Sequence, residues 1–217
     1  SETENRLLAS RPAFSWDALF VGTYGEDYET YMTDQFVGRD KWVRLKTRAD
    51  ILFRKREING VYLASGHYLI GVNDPEEYTE QMENSRIASL RKLVNRWDAK
   101  VMLVPTADNI LTDKLPMYAP YYQEDRLLTK VKEAVGDEHY VDVYHALQDH
   151  AGEPVYYHTD HHWTSLGAYY GFLAWARSMN RYPYPYDLHG MQTVSDDFQG
   201  TLQSRINLDW TKDTIQY

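Results

Sequence analysis

The chain has 217 residues, a length that suits one large domain, or one domain with an additional arm, around its own hydrophobic core. Its formal net charge of −9 argues against a nucleic-acid-binding protein and against strong binding to an anionic membrane surface, because both depend on cationic side chains. The sequence contains no cysteine, which excludes disulfide bonds, thiolate metal sites and a cysteine nucleophile.

The first part of the chain is predicted to be a helical arm over residues 1–55, which packs on a main domain formed by residues 56–217. Its clearest helix covers residues 40–53, where apolar side chains recur at helical spacing and predict the inner face. These side chains are Trp42, Leu45, Ala49 and Leu52.

Residues 60–143 alternate between short apolar runs and longer helical patterns. A hairpin with its turn at Ser65 and Gly66 comes first, and single strands separated by helices follow it. The predicted strands are residues 60–64, 67–70, 100–104 and 140–143, and the predicted helices are residues 75–98 and 124–135. This alternation predicts an α/β domain of three layers, in which helices cover a mainly parallel sheet. In such sheets the functional site lies beyond the carboxyl ends of the strands.

The last third of the chain is predicted to contain a short extended segment at residues 156–158 and a helix over residues 166–179. Prolines make residues 181–186 an extended loop, because proline lacks an amide hydrogen and restricts the residue before it. Residues 195–217 are polar and show no closing element. This stretch predicts that the domain is incomplete and that the chain is truncated.

The sequence Asp160-His161-His162-Trp163 carries the most specific chemical pattern in the chain. Side chains two residues apart in extended backbone point to the same side, so Asp160 and His162 are expected to face each other. A neutral imidazole is the usual base for a hydroxyl proton near pH 7, and a carboxylate that accepts its Nδ1–H fixes the tautomer. Asp160 and His162 are therefore predicted to be catalytic, as the orienting acid and the general base.

A metal site is a weaker interpretation of the same segment. His158, Asp160 and His162 alternate onto one side of an extended backbone and could hold zinc. A fourth ligand with a recognisable spacing is missing from the sequence, and a carboxylate–imidazole pair explains the residues more simply. We therefore expect neither a metal nor a cofactor.

The sequence offers no convincing nucleophile to accompany this base. It contains neither a Gly-x-Ser-x-Gly elbow nor a Gly-Asp-Ser turn. Ser65 falls in the predicted hairpin turn, Ser165 in the first turn of a helix, and Ser204 after a possible strand without a glycine elbow. All three serines are predicted to be structural.

The Asp-His-His-Trp element and its continuation Thr-x-Leu-Gly-Ala-Tyr-Tyr at residues 164–170 resemble the bacterial DHHW proteins. These are related to the alginate O-acetyltransferase components of the SGNH hydrolase-like superfamily. Further similar segments are spread along nearly the whole chain, at residues 4–12, 34–40, 58–62, 103–105 and 114–116. At the hairpin, Ser65-Gly66 replaces the family's usual Asp-Gly, which changes the turn chemistry more than the mechanism.

The resemblance implies an SGNH-like α/β domain outside the cytoplasmic membrane, held there by an N-terminal anchor that this sequence lacks. It implies a Ser-His-Asp triad that adds acetyl groups to, or removes them from, hydroxyls of a cell-surface or exported polysaccharide. Asp160 and His162 match the acid and the base of that triad. In the family the serine lies in a glycine-flanked turn after the motif, and this sequence reaches Tyr217 without such a turn. The chain is therefore expected to be either truncated or a family member without a nucleophile, and truncation is favoured.

The resemblance also implies a membrane-bound acyltransferase partner that supplies the acetyl group. His161, Trp163 and Tyr157 are expected to support the pair or to contact the substrate. Trp163 is expected to pack beneath the pair rather than to stack on a sugar.

A non-catalytic role is the main alternative to an O-acetyltransferase or acetylesterase. The chain has 19 tyrosines and 6 tryptophans, whose rings can stack on sugar faces while their polar groups bind hydroxyls. A glycan-binding or scaffold subunit of an exopolysaccharide modification or export complex would need no serine nucleophile. A metal-dependent hydrolase ranks third.

Overall fold

The structure, a computed structural model, describes residues 7–183 and 190–217 and begins with helices. Part of the motif at residues 4–12 and of the predicted loop at residues 181–186 lies outside these ranges. Ser15 caps the first helix, because its Oγ accepts from the N–H of Ala18 at 3.1 Å. The N-terminal helices are α1 (Trp16–Val21), α2 (Thr23–Asp34) and α3 (Arg39–Leu52).

Helix α3 confirms the helix predicted over residues 40–53, but the predicted inner face is wrong. Trp42, Leu45 and Leu52 are exposed to solvent. The face that contacts the rest of the molecule instead carries Thr47 and Ile51. The hydroxyl of Thr47 donates to the carbonyl of Ile206 at 2.8 Å. A polar anchor therefore decides which face is buried, and hydrophobic spacing does not reveal it. The domain boundary at residue 55 stays a prediction.

The central sheet is a three-stranded antiparallel meander in the order β1-β2-β3. Its strands are β1 (Glu57–Ile58), β2 (Val61–Leu63) and β3 (Leu69–Gly71). Val61 pairs with Gly71 and Leu63 with Leu69, which confirms the predicted hairpin. At the turn, Gly66 adopts φ = +69°, a left-handed conformation that favours glycine.

The mainly parallel sheet predicted from the sequence is not found in the described ranges, where both sheets are antiparallel. The predicted strands at residues 100–104 and 140–143 meet only in one parallel bridge, between Val101 and Tyr140. Pro105 ends the first of these segments, because proline has no amide hydrogen to donate to a neighbouring strand. Asp142 ends the second, because its side chain accepts from the N–H of His145 and caps a helix. The architecture is thus mixed α/β with small sheets.

Four helices lie in the chain between the meander and the segment at residues 156–163, which is called the candidate site loop below. Helix α6 has the predicted bounds, whereas α4 begins later than the predicted residue 75 because Thr79 caps it. Asp74 caps a separate 3-10 turn at Pro75–Glu77. The helices are α4 (Glu80–Trp97), α5 (Ala107–Ile110), α6 (Glu124–Val135) and α7 (Val143–Gln148).

Helix α8 (Ser165–Ser178) follows the candidate site loop and lies close to the predicted range of residues 166–179. Thr164 caps it by accepting from the N–H of Gly167 at 3.2 Å. Immediately before it, Tyr156 and Trp163 form an antiparallel bridge that closes the base of the loop.

The C-terminal stretch folds into a strand, a helix and a second strand, so the prediction of a stretch without a closing element is wrong. These elements are β4 (Thr193–Phe198), α9 (Thr201–Ile206) and β5 (Asp213–Gln216). Strands β4 and β5 pair with each other in an antiparallel sheet with register shifts. Both strands are largely polar and partly exposed, and therefore lack the apolar alternation by which a strand is recognised.

Helix α9 packs on the meander through Leu202 and Ile206, which share a core cluster with Ile58, Val61 and Leu69. The cluster holds α9 in place and so positions Gly200 and Thr201, which precede it or begin it. None of the helices in the described ranges is both long and apolar enough to cross a bilayer.

Replacement of Ile206 by alanine is predicted to lower the free energy of unfolding by about 2–5 kcal/mol, because it leaves a cavity beside a fully buried position. Urea denaturation measures this change. Val194→Ala, at an exposed position on β4, is the control and should change stability by less than about 0.5 kcal/mol. Equal effects of the two variants would show that α9 is not part of the core.

Candidate active site

The candidate site is the loop between Tyr156 and Trp163, the two residues that form the bridge at its base. The loop closes on itself, because the N–H of Tyr157 donates to the carbonyl of His162 at 3.2 Å. It contains Asp160, His161 and His162 at its tip. The chain therefore presents these side chains from a short, cross-braced turn.

Asp160 and His162 form a direct hydrogen bond. The Nδ1 atom of His162 lies 2.5 Å from Oδ2 of Asp160. Asp160 is only 4% exposed, whereas the His162 side chain is 64% exposed. A hydrogen bond to Nε2 of His162 is absent among the residues that the structure describes. The imidazole is thus anchored on one side and open to solvent on the other.

The second oxygen of Asp160 is held by Thr201, the first residue of α9. Oδ1 accepts from the backbone N–H of Thr201 at 2.8 Å and from its hydroxyl at 2.6 Å. Burial alone would raise the pKa of Asp160, but the bonds from Thr201 and His162 outweigh it and lower this pKa to about 2. Asp160 is consequently a carboxylate at neutral pH.

Gly200 allows α9 to approach the loop this closely. A Cβ atom at this position would lie 2.3 Å from Cβ of Asp160 and 2.6 Å from the carbonyl oxygen of Thr159, distances that no side chain tolerates. The N–H of Gly200 also donates to the hydroxyl of Thr159 at 2.9 Å. Only glycine fits between the loop and the start of the helix.

His161 lies beside the pair on the solvent side. Its Nδ1 atom is 2.9 Å from the hydroxyl of Thr201, and its ring centroid is 3.9 Å from that of His162. Ligand atoms of Asp160, His161 and His162 lie within 4.8 Å of one another, so these three could hold a metal ion. The metal alternative predicted from the sequence used His158 instead, but Nδ1 of His158 faces Asp213 at 3.1 Å.

Trp163 lies half-buried against helix α8 and the largest core cluster. The edge of its indole ring covers Gly171, where a Cβ atom would come within 2.7 Å of Cζ3. Its role in supporting the pair stays a prediction, but the ring contacts protein rather than projecting into solvent.

Tyr157 borders a cavity of about 300 Å³, together with His158, Ser165 and Lys212. His162 does not line this cavity; its side chain is 64% exposed, so the open side of the imidazole faces the surface. Burial raises the pKa of the Tyr157 phenol, and nearby Asp213 adds to the increase. Tyr157 therefore remains a neutral hydrogen-bonding group beside the loop.

The three serines considered in the sequence occupy structural positions. Ser65 begins a 3-10 turn, Ser165 donates its hydroxyl to the carbonyl of Gln216, and Ser204 donates to the carbonyl of Gly200. Two of these hydroxyls are thus bound to backbone carbonyls. The nucleophile is not assigned to any of the three.

The residues that sequence reasoning missed are Gly200, Thr201 and Asp213. Glycine followed by threonine could have indicated the start of a helix, because threonine is common at helix N-termini. Nothing in the sequence indicates that this start lies against Asp160, which is 41 residues away from Thr201 in the chain.

The chain is similar to a known protein family and to two solved structures. The model of the family described as "SGNH hydrolase-like domain, acetyltransferase AlgX" matches residues 71–217. A DHHW family protein from Eubacterium siraeum DSM 15702 is 25% identical, with a TM-score of 0.57 over 74% of this chain and 55% of that one. The O-acetyltransferase domain of Pseudomonas putida AlgJ is 19% identical, with a TM-score of 0.52 over 72% of this chain and 63% of that one.

The second of these likenesses shows the fold alone. The chain spans 55% of the length of the first solved structure and 63% of the second. No curated protein matches the sequence significantly.

Replacement of Gly200 by alanine is predicted to destabilise the protein by about 1–3 kcal/mol, because the added methyl group forces α9 away from Asp160 and Thr159. Gly25→Ala, in helix α2 with open space around it, should leave stability unchanged or raise it by up to about 1 kcal/mol. Urea denaturation compares the two. A Gly200→Ala protein as stable as wild type would contradict the close approach.

The lowered pKa of Asp160 predicts a specific dependence of stability on pH. The folded-state value of about 2 is below the unfolded value of about 3.9, so the contribution is present above about pH 4 and is lost as the pH falls toward 2. The free energy of unfolding should therefore fall less steeply across this window in Asp160→Asn than in wild type. Asp213, whose pKa is also lowered, remains in both proteins. Equal slopes would show that Asp160 has an ordinary pKa.

Proposed function

Because the chain belongs to the family of SGNH hydrolase-like domains of the acetyltransferase AlgX type, we propose that it forms the acid–base part of a polysaccharide O-acetyltransferase or acetylesterase. The observation that carries the proposal is the buried Asp160 carboxylate bound to the exposed His162 imidazole. Such a pair is the part of a Ser-His-Asp triad that activates a hydroxyl.

In the proposed reaction, Nε2 of His162 takes the proton of a serine hydroxyl as that oxygen attacks the carbonyl carbon of an acetyl donor. The protonated imidazole then gives its proton to the leaving group of the donor, and an acetyl-serine remains. In the second half, a sugar hydroxyl, or water in an esterase, gives its proton to His162 and attacks the acetyl group. The serine oxygen leaves and recovers the proton from His162.

Asp160 supports both halves of this reaction by accepting the Nδ1–H of His162 and stabilising the charged imidazolium. Thr201 keeps Asp160 ionised and correctly oriented through two hydrogen bonds. By the resemblance to the family, a serine in a glycine-flanked turn that follows the motif in the full protein is proposed to complete the triad. His161, at the surface beside His162, and Tyr157 are proposed to contact the substrate, while Trp163 supports the loop from the protein side.

The substrate is proposed to be a polysaccharide outside the cytoplasm, at the cell surface or exported. The matched family model describes an acetyltransferase, which supports transfer of an acetyl group to that substrate. The acetyl group would come from a membrane-bound acyltransferase partner, and an N-terminal anchor would hold the protein near it. The net charge of −9 fits a partner other than a nucleic acid or an anionic lipid surface.

A non-catalytic glycan-binding subunit is the second candidate. Aromatic rings on α1 and α2 favour it, since the exposed Trp16 stacks on the exposed Phe20 at 6.2 Å, and the half-buried Tyr24 stacks on the exposed Tyr28 at 5.9 Å between ring centroids. Such pairs offer flat surfaces on which sugars stack. This candidate requires neither a serine nor His162.

The enzymatic proposal is tested with the natural full-length protein, by acetyl transfer from p-nitrophenyl acetate and by covalent labelling with a fluorophosphonate. His162→Ala and Asp160→Asn should each lower both rates by about 10²–10⁴-fold. The first variant removes the general base of the serine, and the second no longer holds the imidazole in the tautomer that can accept a proton. Mass spectrometry should find a single labelled serine.

His145→Ala is the matched control for this experiment. His145 is similarly exposed, at 68%, and its Nδ1 atom lies 2.7 Å from Oδ2 of Asp142, so it forms a carboxylate–imidazole pair on α7 whose carboxylate is not buried. The control should keep full activity. An unlabelled wild-type protein that still binds polysaccharide would contradict the enzymatic proposal and favour the glycan-binding subunit.

A further inference from the structure

Asp213, on strand β5, is the most heavily hydrogen-bonded carboxylate next to the candidate site loop. Its Oδ1 accepts from the backbone N–H of His158 at 2.8 Å, and its Oδ2 accepts from the N–H of Thr159 at 2.8 Å. Oδ2 also accepts from the hydroxyl of Thr159 at 2.6 Å, and Nδ1 of His158 lies 3.1 Å from Oδ1. Asp213 is 5% exposed and belongs neither to the Asp160–His162 pair nor to its Thr201 support.

The loop is held from its other side at the same residue. The carbonyl of Thr159 accepts from the N–H groups of Leu202 and Gln203, both at 3.1 Å. The Thr159 hydroxyl, which donates to Asp213, also accepts from the N–H of Gly200. Thr159 has no exposed surface and is therefore clamped between β5 and α9 through every polar group it has.

This clamp acts on the residue directly before Asp160. Two consecutive N–H groups bound to one carboxylate fix the direction of the backbone at residues 158–159. The backbone direction there sets where Asp160 points, and Asp160 in turn sets the orientation of His162. A displacement of Thr159 by roughly a few tenths of an ångström would weaken the hydrogen bond between Asp160 and His162, because its strength depends on the donor–acceptor distance and on the angle at the hydrogen.

We propose that Asp213 is a positioning residue that sets the geometry of the Asp160–His162 pair through the backbone of His158 and Thr159. The inference rests on the proposed function, since it assigns Asp213 a role in orienting the general base. It also rests on observations of its own, namely the four donors that converge on Asp213 from residues that lead into the site.

A simple ion pair with His158 does not account for these contacts. Three of the four donors to Asp213 are backbone N–H groups or the Thr159 hydroxyl. The His158 ring is fixed independently, because it stacks on Tyr68 with 3.9 Å between centroids. Burial opposes ionisation of Asp213, but its bonds from His158 and Thr159 prevail and lower its pKa, so it accepts as a carboxylate.

The test compares Asp213→Asn with wild type by NMR of the His162 ring, in which the Nδ1–H bound to Asp160 gives a low-field proton resonance. Asparagine preserves the shape but offers a single acceptor oxygen to donors that need two. We expect this proton to exchange with solvent about tenfold faster, or its resonance to disappear, because the bond to Asp160 opens more often.

Asp50→Asn is the matched control, because Asp50 is also buried and paired, with Lys46 and Lys55, but lies on α3 away from the loop. The control should keep the wild-type resonance. A folded Asp213→Asn protein with the wild-type exchange rate would overturn the proposal. The same loss in both variants would also overturn it, because a general loss of stability would then explain the result.

Thr159→Val and Thr159→Ser provide a second comparison in case Asp213→Asn fails to fold. Valine removes the hydroxyl that joins Asp213 to Gly200, whereas serine retains it. Faster exchange of the His162 proton in Thr159→Val and wild-type exchange in Thr159→Ser would support the clamp. Equal exchange in both would contradict it. These readouts need no acetyl transfer, so they decide the role of Asp213 even if the enzymatic proposal fails.

Discussion

The buried carboxylate of Asp160 is the group on which the rest of the site depends. An ionised group with 4% exposure is stable only if hydrogen bonds replace the water it has lost, and Asp160 obtains them from two directions. His162 binds one oxygen from within the loop, and Thr201 binds the other from the start of α9. The requirement to satisfy one charge therefore brings together two segments that are 41 residues apart.

The asymmetry of the pair suits acid–base chemistry. Asp160 is shielded, which strengthens its hold on the imidazole, while His162 presents its other face to solvent. The core around Ile206 and the pairing of β4 with β5 keep α9 and β5 against the loop, and the N–H of Leu69 on β3 donates to the carbonyl of His158 at 2.7 Å. The scaffold thus contributes to the site through position alone.

The sequence predicted the local features of this arrangement well. The contact between Asp160 and His162 could be predicted because the two residues are only two positions apart. The bounds of helix α6 could be predicted because its strong periodicity is also a property of neighbouring residues. Thr201 and Asp213 could not be predicted, since their contacts depend on how polar strands without a hydrophobic pattern fold back. The parallel sheet was predicted wrongly for a related reason: short apolar runs do not specify their partners.

The most direct measurement is a neutron crystal structure at about pH 8, above the ordinary imidazole pKa of about 6.5, that locates the proton on His162. A proton on Nδ1, directed at Oδ2 of Asp160, with Nε2 unprotonated, is the state in which His162 can accept a hydroxyl proton. The account predicts this state. A proton on Nε2, with Nδ1 bare or with Asp160 protonated, would contradict it.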